Sequence, residues 1–432
     1  GVCSLSPGTT LSYQILPDGS VTAGKPIRYW KLPVQDPDDC MNDRALMARL
    51  KEALQDAVRT QLVSDVPLGA FLSGGIDSTA VSALMKEANR GPVRTFSLVF
   101  EEASYDERRW ARLAASRIGS DHREVLLTGS EVGQEIDRAL ASFDQPSMDG
   151  LNTWFVSRAA KVSGLTVALS GLGGDELFGG YDGYRKAMLA ERFRFLAGRL
   201  HGKTAGWLEA KLAACYPAEA LRKFFQLLGS ALPPYFVTRR LFSDEQIRRL
   251  LCPEVTEDRS WQREAFSEIV AGVAALDPVN RVSAWEMQTY MKSTLLRDTD
   301  QMSMAHALEV RVPLIDPVLV RFVMTLPGRM KIDGNTPKPL LTRPLEGLIP
   351  SECIYRPKRG FELPFDVWLQ KGLKNRMMEC FLSESAADSM QPFSQKALAA
   401  LWHEFEKGRI SWARVWSMFV LIDWLKCHNI SR

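Results

Sequence analysis

The sequence predicts an α/β fold in which a doubly wound parallel sheet is followed by a helical C-terminal region. Three observations support this prediction. Between residues 66 and 170, short apolar runs alternate with stretches of helical length, as in parallel strands joined by crossover helices. Two glycine-rich stretches directly follow predicted strands. From about residue 184 onward the pattern is helical and predicts no further strand.

The individual elements begin with a β-rich segment. Alternation over residues 11–16 and the turn signal Pro17-Asp18-Gly19-Ser20 predict two short strands, and residues 33–39 read as a linker. Leucine or valine at every fourth position predicts a helix over residues 43–62. The strands of the main sheet are predicted over 66–72, 93–100, 122–127 and 165–170. The helices between and after them are predicted over 78–89, 106–119, 131–143, 152–162, 261–273, 284–296 and 402–426.

The composition is that of an ordinary globular protein, with 46% hydrophobic and 24% charged residues. The net charge of +3 is too small to indicate a nucleic-acid or membrane partner, and no apolar run is long enough to span a bilayer. The seven cysteines are scattered without a Cys-x-x-Cys pair, so we expect reduced thiols in a cytoplasmic protein. The isolated histidines do not indicate a zinc site.

The first glycine-rich stretch is Ser73-Gly74-Gly75-Ile76-Asp77-Ser78, between a predicted strand and a predicted helix. Its small residues would let backbone N–H groups close around an anion, and the positive end of the helix dipole adds to the same pocket. An aspartate in a phosphate site is explained if Asp77 binds Mg²⁺. No Gly-Lys-Ser/Thr ends the stretch, so it is not a Walker loop. We predict a pyrophosphate and magnesium site; the alternative is an ordinary glycine turn.

The second glycine-rich stretch runs from Ser170 to Tyr181. Its glycines would let the backbone pack against a nucleotide base or ribose. Because ligands bind beyond the carboxyl ends of parallel strands, we expect both stretches to face one cleft. Asp175 could then bind the same Mg²⁺. The alternative is that Asp175 and Glu176 only form an acidic pair at a helix N-terminus.

Together these stretches resemble the asparagine synthetase family of the ATP pyrophosphatase superfamily. The first is similar to the superfamily signature SGGxDS, and its combination with LSGLGGDELFGGY about a hundred residues later is similar to the family's synthetase domain. Residues 296–305, 309–316 and 355–361 resemble its later motifs. Residues 1–35 are similar to the end of the family's glutaminase domain, so the synthetase domain is expected over residues 41–432.

The resemblance implies an adenine nucleotide α-hydrolase-like fold and an ATP-dependent ligase. Such an enzyme converts aspartate to asparagine through β-aspartyl-AMP, with nitrogen from ammonia or from glutamine. The implied catalytic residues are Lys358, Asp77 and Asp175, and the two aspartates are also the implied Mg²⁺ ligands. The implied ATP-binding residues are Leu72, Ser73, Gly74, Gly75, Asp77, Ser78, Leu98, Ser170 and Gly171. The implied partners are small molecules, without nucleic acid or membrane, and the chain could form a homodimer.

Two features depart from the family's pattern. Only the end of the glutaminase half has a counterpart here, and Cys3 is not at its nucleophile position. Leu172 stands where classical asparagine synthetases have a glutamate that handles the ammonia proton. The alternatives therefore include a relative that amidates or cyclises another carboxylate in glycan or peptide natural-product biosynthesis, and a non-catalytic homologue. Arg297 and Arg311 could bind a substrate carboxylate or form structural ion pairs.

Overall fold

The computed structural model of the protein describes residues 4–33, 42–89, 91–197, 232–251, 260–358, 360–382 and 392–428. The strands in these residues are β1 (Thr9–Thr10), β2 (Tyr13–Ile15), β3 (Val21–Ala23), β4 (Ile27–Arg28), β5 (Leu68–Phe71), β6 (Arg94–Phe100), β7 (Asp121–Leu127), β8 (Val167–Leu169) and β9 (Glu309–Arg311). The antiparallel pair β2–β3 confirms the two predicted N-terminal strands, and β1 pairs with β4. The predicted linker beyond residue 33 and Cys3 lie outside the described residues.

The main sheet has five parallel strands in the order β7-β6-β5-β8-β9. The strands β5 to β8 confirm the predicted parallel sheet. The sequence does not predict β9, because a three-residue strand gives no usable alternation. The chain moves outward from β5 to β7 on one side and from β8 to β9 on the other. The boundary between β5 and β8 is therefore the switch point at which such sheets bind ligands.

Helices account for most of the remaining described chain. Those that precede β9 are Asp43–Thr60, Ile76–Ala88, Arg108–Ile118, Gly129–Leu140, Leu151–Val162, Gly174–Phe178, Asp182–Ala197, Pro234–Arg239, Asp244–Leu250, Ser260–Ala271, Pro278–Glu286, the π-helix Met287–Leu296, and Arg297–Met304. Those that follow β9 are Pro317–Met324, Pro339–Thr342, Ser351–Tyr355, Phe365–Trp368, Lys374–Leu382, Gln395–Glu406 and Trp412–Cys427, with 3₁₀ turns at Pro313–Ile315 and Gly328–Lys331. Among the described residues, no helix combines the length and the hydropathy needed to cross a bilayer.

The C-terminal region over residues 402–426, where the spacing of apolar residues predicts helical structure, is covered by two helices. Gln395–Glu406 and Trp412–Cys427 are separated at Gly408, whose φ of 67° ends the first helix. The aromatic residues of the region are core residues, since Trp402 and Trp416 are fully buried. They belong to a second hydrophobic core that is rich in tryptophan and phenylalanine.

Both faces of the main sheet are covered, as a doubly wound fold requires. Along β5, Ala70 and the following Leu72 point into the larger core with the helix Ile76–Ala88. Phe71 points to the opposite face, where it packs against the second core and against a third, smaller hydrophobic cluster. The carboxyl end of β5 is thus fixed from both sides, and this positions the loop that follows it.

Candidate active site

The first glycine-rich stretch forms the loop between β5 and the helix Ile76–Ala88, which begins two residues before its predicted start. Gly74 has a φ of 71°, and a Cβ there would lie 2.7 Å from the backbone nitrogen of Ala111. Gly74 therefore lets the loop pack against a neighbouring helix and does not itself line the cleft. The other residues predicted to bind ATP all line one cleft of about 820 Å³: Leu72, Ser73, Gly75, Asp77, Ser78, Leu98, Ser170 and Gly171.

This loop offers hydrogen-bond donors to the cleft. The hydroxyl oxygens of Ser73 and Ser78 lie 3.2 Å apart, and the Gly75 N–H donates to the Ser73 hydroxyl at 3.3 Å. No side chain caps the start of the helix Ile76–Ala88. Its first N–H groups and the positive end of its dipole are consequently available to an anion. The local structure is that expected of a phosphate site.

The second glycine-rich stretch packs directly against the first. A Cβ on Gly171 would lie 2.6 Å from the backbone nitrogen of Ser78. A Cβ on Gly180 would overlap the carboxylate of Asp175 and the Cε of Lys338. Because interiors are close-packed, a side chain at Gly171 would push the two loops apart, and one at Gly180 would displace Asp175 and Lys338. Gly171 thus allows the two loops to meet, and Gly180 allows Lys338 to reach Asp175.

The two predicted aspartates meet at one ammonium group. Lys338 Nζ lies 2.6 Å from Oδ1 of Asp77 and 2.5 Å from Oδ1 of Asp175, so it bridges the two carboxylates. Lys358 Nζ donates to Asp175 Oδ1 and to the carbonyl oxygen of Gly180, both at 2.7 Å. The three predicted catalytic residues are therefore brought together. Lys338 joins them, although it stands in no glycine-rich or acidic motif that would single it out in the sequence.

Burial and charge set the protonation of this cluster. Burial opposes the charge on Lys338, but its contacts with Asp175 and Asp77 outweigh burial and raise the pKa of Lys338. Burial would also raise the pKa of Asp175, but Lys338 and Lys358 outweigh it and lower that pKa to about 2. At Asp77, burial outweighs the attraction of Lys338 and raises the pKa. Asp175 and Lys338 are therefore the firmly ionised pair at neutral pH.

The backbone of Lys338 is strained. Its φ of 48° and ψ of 60° are left-handed, a conformation that non-glycine residues rarely adopt. Pro339 follows and begins the helix Pro339–Thr342, and a residue before proline prefers an extended conformation. Such strain costs about 1–3 kcal/mol and clusters at functional sites. The fold thus holds the Lys338 side chain between the two aspartates at an energetic cost.

Beyond the lysines, aromatic and charged side chains wall the cleft. The guanidinium carbon of Arg239 lies 4.6 Å from the ring centroids of both Tyr181 and Tyr290. The Arg239 Nε donates to the buried carboxylate of Glu286 at 2.9 Å. The Tyr290 hydroxyl donates to Asp149 Oδ2 at 2.6 Å. The sequence did not indicate this group, because its members come from four separate segments without a shared motif.

Glu176, the neighbour of Asp175, supports this wall. Its side chain is buried and accepts a hydrogen bond from the Tyr181 hydroxyl at 2.5 Å. Burial raises the pKa of Glu176 to about 7. The ring of Tyr181, held in this way, lies 4.4 Å from the Nζ of Lys358. The two acids of the predicted pair therefore have different surroundings, and only Asp175 touches the lysines.

The two arginines left open by the sequence have structural partners. Arg297 pairs with Asp298 at 2.9 Å. Arg311 pairs with Glu309 at 2.6 Å and also donates to the backbone carbonyl oxygens of Gln61 and Val63, both at 2.7 Å. Neither guanidinium lines the cleft, so the ion-pair interpretation holds for both arginines.

Leu172 lines the cleft from the second loop, and no carboxylate stands at its position. Its half-buried side chain packs against the larger core. Leu172 therefore contributes packing under the loop, which is one of the roles that a leucine can fill there.

The chemistry of the donor set fits a magnesium ion only in part. Asp77 and Asp175 offer the hard oxygen ligands that Mg²⁺ prefers. Within the part of the chain that the structure describes, no three His, Cys, Asp or Glu side chains are grouped to hold a metal. A Mg²⁺ here would complete its shell with ATP phosphate oxygens and water, which is usual for this ion at nucleotide sites.

Comparison with known proteins identifies the family. The family model "Asparagine synthase" matches residues 49–426. The chain is 28% identical along its full length to asparagine synthetase (glutamine-hydrolyzing) 1 of Bacillus subtilis, of which it covers 65%. Over 89% of its length it is 31% identical to a putative asparagine synthetase (glutamine-hydrolyzing) of Mycobacterium tuberculosis, of which it covers 58%. The chain therefore spans less than two thirds of these relatives, and it belongs to the asparagine synthase family.

Proposed function

We propose that this chain is an ATP-dependent amide ligase that converts aspartate to asparagine through β-aspartyl-AMP, with release of AMP and pyrophosphate. The nitrogen is ammonia, either free or released from glutamine by a glutaminase domain. The observation that carries the proposal is the cluster in which Asp77 and Asp175 face Lys338 and Lys358 at the switch point of the sheet. Membership of the asparagine synthase family supports the same activity.

The first half-reaction is a phosphoryl-centred displacement. Adenosine would lie against Leu72 and Leu98, and the departing phosphates would accept from the loop of Ser73, Gly75 and Ser78. An oxygen of the acceptor carboxylate attacks the α-phosphorus, the bond from that phosphorus to the β-phosphate oxygen breaks, and pyrophosphate leaves. Since charge builds up on the departing oxygens, catalysis depends on positioning and on nearby cations.

The cations come from two lysines and the metal. Lys338 is nearly fully buried and Lys358 is about half-exposed, so they approach the phosphates from different depths. Asp77 and Asp175 would hold Mg²⁺, whose charge neutralises the phosphate oxygens when it is bound. Lys338 and Lys358 lower the pKa of Asp175 to about 2, so that carboxylate stays ionised throughout the neutral range.

In the second half-reaction ammonia attacks the carbonyl carbon of the acyl adenylate, the bond to the AMP oxygen breaks, and AMP leaves. One ammonia proton must also leave, and it needs an acceptor. The side chain of Leu172 cannot accept a proton. This half-reaction is therefore the slower one at neutral pH, where ammonia is mostly ammonium.

Leu172 also favours the second candidate function. A ligase that amidates or cyclises another carboxylate, with a nucleophile that is not ammonium, would have no use for a glutamate at this position. Such an enzyme would keep the cluster of Asp77, Asp175, Lys338 and Lys358 unchanged, because adenylation is common to both candidates.

The test is product identification with the purified chain. With ATP, Mg²⁺, aspartate and ammonium, AMP, pyrophosphate and asparagine should form in equal amounts. The matched control is Asp77→Asn, which should form none of the three at a comparable rate. AMP formation that requires a different carboxylate would favour the second candidate, and ADP in place of AMP would contradict both.

A further inference from the structure

We propose that Arg239 and Asp149 together bind the head group of an α-amino-acid acceptor, with Arg239 on the α-carboxylate and Asp149 on the α-ammonium. This inference rests on the proposed ligase activity and assigns to named residues the selection of its acceptor. Both side chains line the same cleft as the lysine and aspartate cluster.

Arg239 is held in one orientation. Its guanidinium lies between the rings of Tyr181 and Tyr290, 4.6 Å from each centroid, and its Nε donates to Glu286 at 2.9 Å. Its Nη2 also donates to Glu286, and no acceptor within the described part of the chain engages Nη1, whose N–H groups can donate to a ligand. About a third of the Arg239 side chain is exposed, whereas Glu286 is buried. A planar, pre-oriented guanidinium of this kind suits a carboxylate.

Asp149 supplies the opposite charge. It lies two residues before the helix Leu151–Val162 and is partly buried in the cleft, where the Tyr290 hydroxyl donates to its Oδ2 at 2.6 Å. Burial raises the pKa of Asp149, although Tyr290 and Arg239 oppose that effect. A partly desolvated carboxylate gains from a cation that binds beside it, because the cation restores the solvation that burial removed.

Tyr290 fixes the two charges relative to each other. Its ring face contacts the guanidinium of Arg239 and its hydroxyl binds Asp149, so a positive and a negative group flank one side chain. This is the arrangement of charges that complements the ammonium and carboxylate of an α-amino acid. A uronic acid or a peptide C-terminus offers a carboxylate to the ligase but no adjacent zwitterion.

The distance to Lys358 limits the length of the acceptor. Lys358 Nζ and the Arg239 guanidinium carbon lie 4.4 and 4.6 Å from the centroid of the same Tyr181 ring. These distances add to 9.0 Å, so the two cations are no farther apart than that. An acceptor held by Arg239 would therefore have its reacting carboxylate only a short span from the lysine and aspartate cluster, as a short dicarboxylate such as aspartate does.

The experiment uses two analogues of aspartate that each lack one half of the head group. β-Alanine lacks the α-carboxylate, and succinate lacks the α-amino group. Acceptor-dependent exchange of labelled pyrophosphate into ATP is measured for the parent chain, Arg239→Met and Asp149→Asn with all three acceptors. The matched control is Arg240→Met, because Arg240 pairs with Asp244 and does not line the cleft.

Each variant should lose the parent's preference for acceptors that carry the group bound by the replaced side chain. Arg239→Met should raise the KM for aspartate about 10- to 100-fold, the cost of a lost hydrogen bond to a charged group, and leave kcat and the β-alanine rate nearly unchanged. Asp149→Asn should raise the KM for aspartate by a similar factor and leave the exchange rate with succinate nearly unchanged. Arg240→Met should match the parent with all three acceptors.

A purely structural role for Arg239 predicts a different result, namely a parallel loss with aspartate and β-alanine. That outcome, or a parent that does not discriminate among the three acceptors, would contradict the proposed binding roles of Arg239 and Asp149 without contradicting the ligase activity. Calorimetric binding of aspartate to the parent and to Arg239→Met provides a readout that needs no turnover. If the parent binds aspartate and Arg239→Met does not, the binding role of Arg239 is supported even without exchange. Absence of exchange with all three acceptors contradicts the proposed function.

Discussion

Lys338 donates to Asp77, a residue 261 positions earlier in the chain, with its Nζ 2.6 Å from the carboxylate Oδ1. The same ammonium contacts Asp175, so three segments that are distant in sequence converge on one buried cation. The loop after β5, the loop after β8 and the strained residue before Pro339 each contribute one group.

Lys338 and Lys358 should differ in their effect on stability. Lys338→Met leaves the half-buried carboxylates of Asp77 and Asp175 facing each other without the ammonium that bridges them, so both the adenylation rate and the thermal midpoint should fall. Lys358 is about half-exposed, so Lys358→Ala should lower the rate by about 10²–10³ with little change in the midpoint. Pyrophosphate exchange and thermal melts on both variants check this. Equal midpoints for the two variants would contradict the buried bridge.

Gly180→Ala should inactivate the enzyme. The added Cβ overlaps Asp175 and Lys338, and a displacement of about 1 Å in an active site can cost about 10²-fold in rate. The control is Gly183→Ala, three residues away, where a Cβ meets nothing within 4 Å. Both chains should show the same circular dichroism spectrum. If Gly180→Ala retains the parent rate of exchange, the close approach of Gly180 to Asp175 and Lys338 is not required.

Lys331→Met should stabilise the protein. Lys331 is fully buried, and among the described residues its Nζ has hydrogen-bond contacts only with the Ser283 hydroxyl and the Met324 sulfur, at 3.1 and 3.3 Å. Burial lowers the pKa of Lys331 from its usual 10.5 to about 7. Between these values the unfolded chain binds the extra proton, so the free energy of unfolding of the parent rises with pH; below about pH 7 both states are protonated and the penalty is complete.

The variant removes this titration. The stability gained by Lys331→Met should therefore be largest below pH 7 and should shrink by about 1.4 kcal/mol for each pH unit above it. Urea midpoints of parent and variant at pH 6.5, 7.5 and 8.5 measure the gap. A gap that is constant with pH would show that Lys331 titrates normally.

Leu172→Glu should separate the two half-reactions. Adenylation depends on the loop after β5 and on the lysines, so aspartate-dependent pyrophosphate exchange should change little. A carboxylate at position 172 would attract ammonium and accept its proton, so the ammonia-dependent rate should rise. In the parent, ammonia use should be poor at pH 7 and should improve toward pH 9.

The outcome depends on a folded variant, because Leu172 packs against the larger core. Circular dichroism is the folding control. A folded Leu172→Glu chain with no gain in ammonia use would contradict the proton-handling role of this position.

The sequence predicted those parts of the site that lie in contiguous motifs. The glycine-rich loops that follow apolar strands predicted the sheet, its ligand-binding edge and the approach of Asp77 to Asp175, because each of these sequence signals lies within a dozen residues. Lys338 gave no such signal, since its position depends on a left-handed backbone conformation that the sequence Pro-Lys-Pro does not favour.

Arg239 was missed for a related reason. Its role in the cleft depends on Glu286 and on two tyrosines from other segments, and these contacts exist only in the folded chain. The three-residue β9 is too short to show an alternating pattern of apolar residues. Gly408 lies inside an apolar stretch with helical spacing, which does not indicate where one helix ends. The glutaminase origin of residues 1–35 and the homodimer stay predictions.

The most direct test of the account is the exchange of labelled pyrophosphate into ATP without ammonium. We predict that exchange requires Mg²⁺ and aspartate together, and that Asp77→Asn reduces it by about 10²–10³ with the fold intact. Exchange that proceeds equally well without a carboxylate acceptor, or that Asp77→Asn leaves at the parent rate, would contradict the assignment of this cleft as an adenylating site.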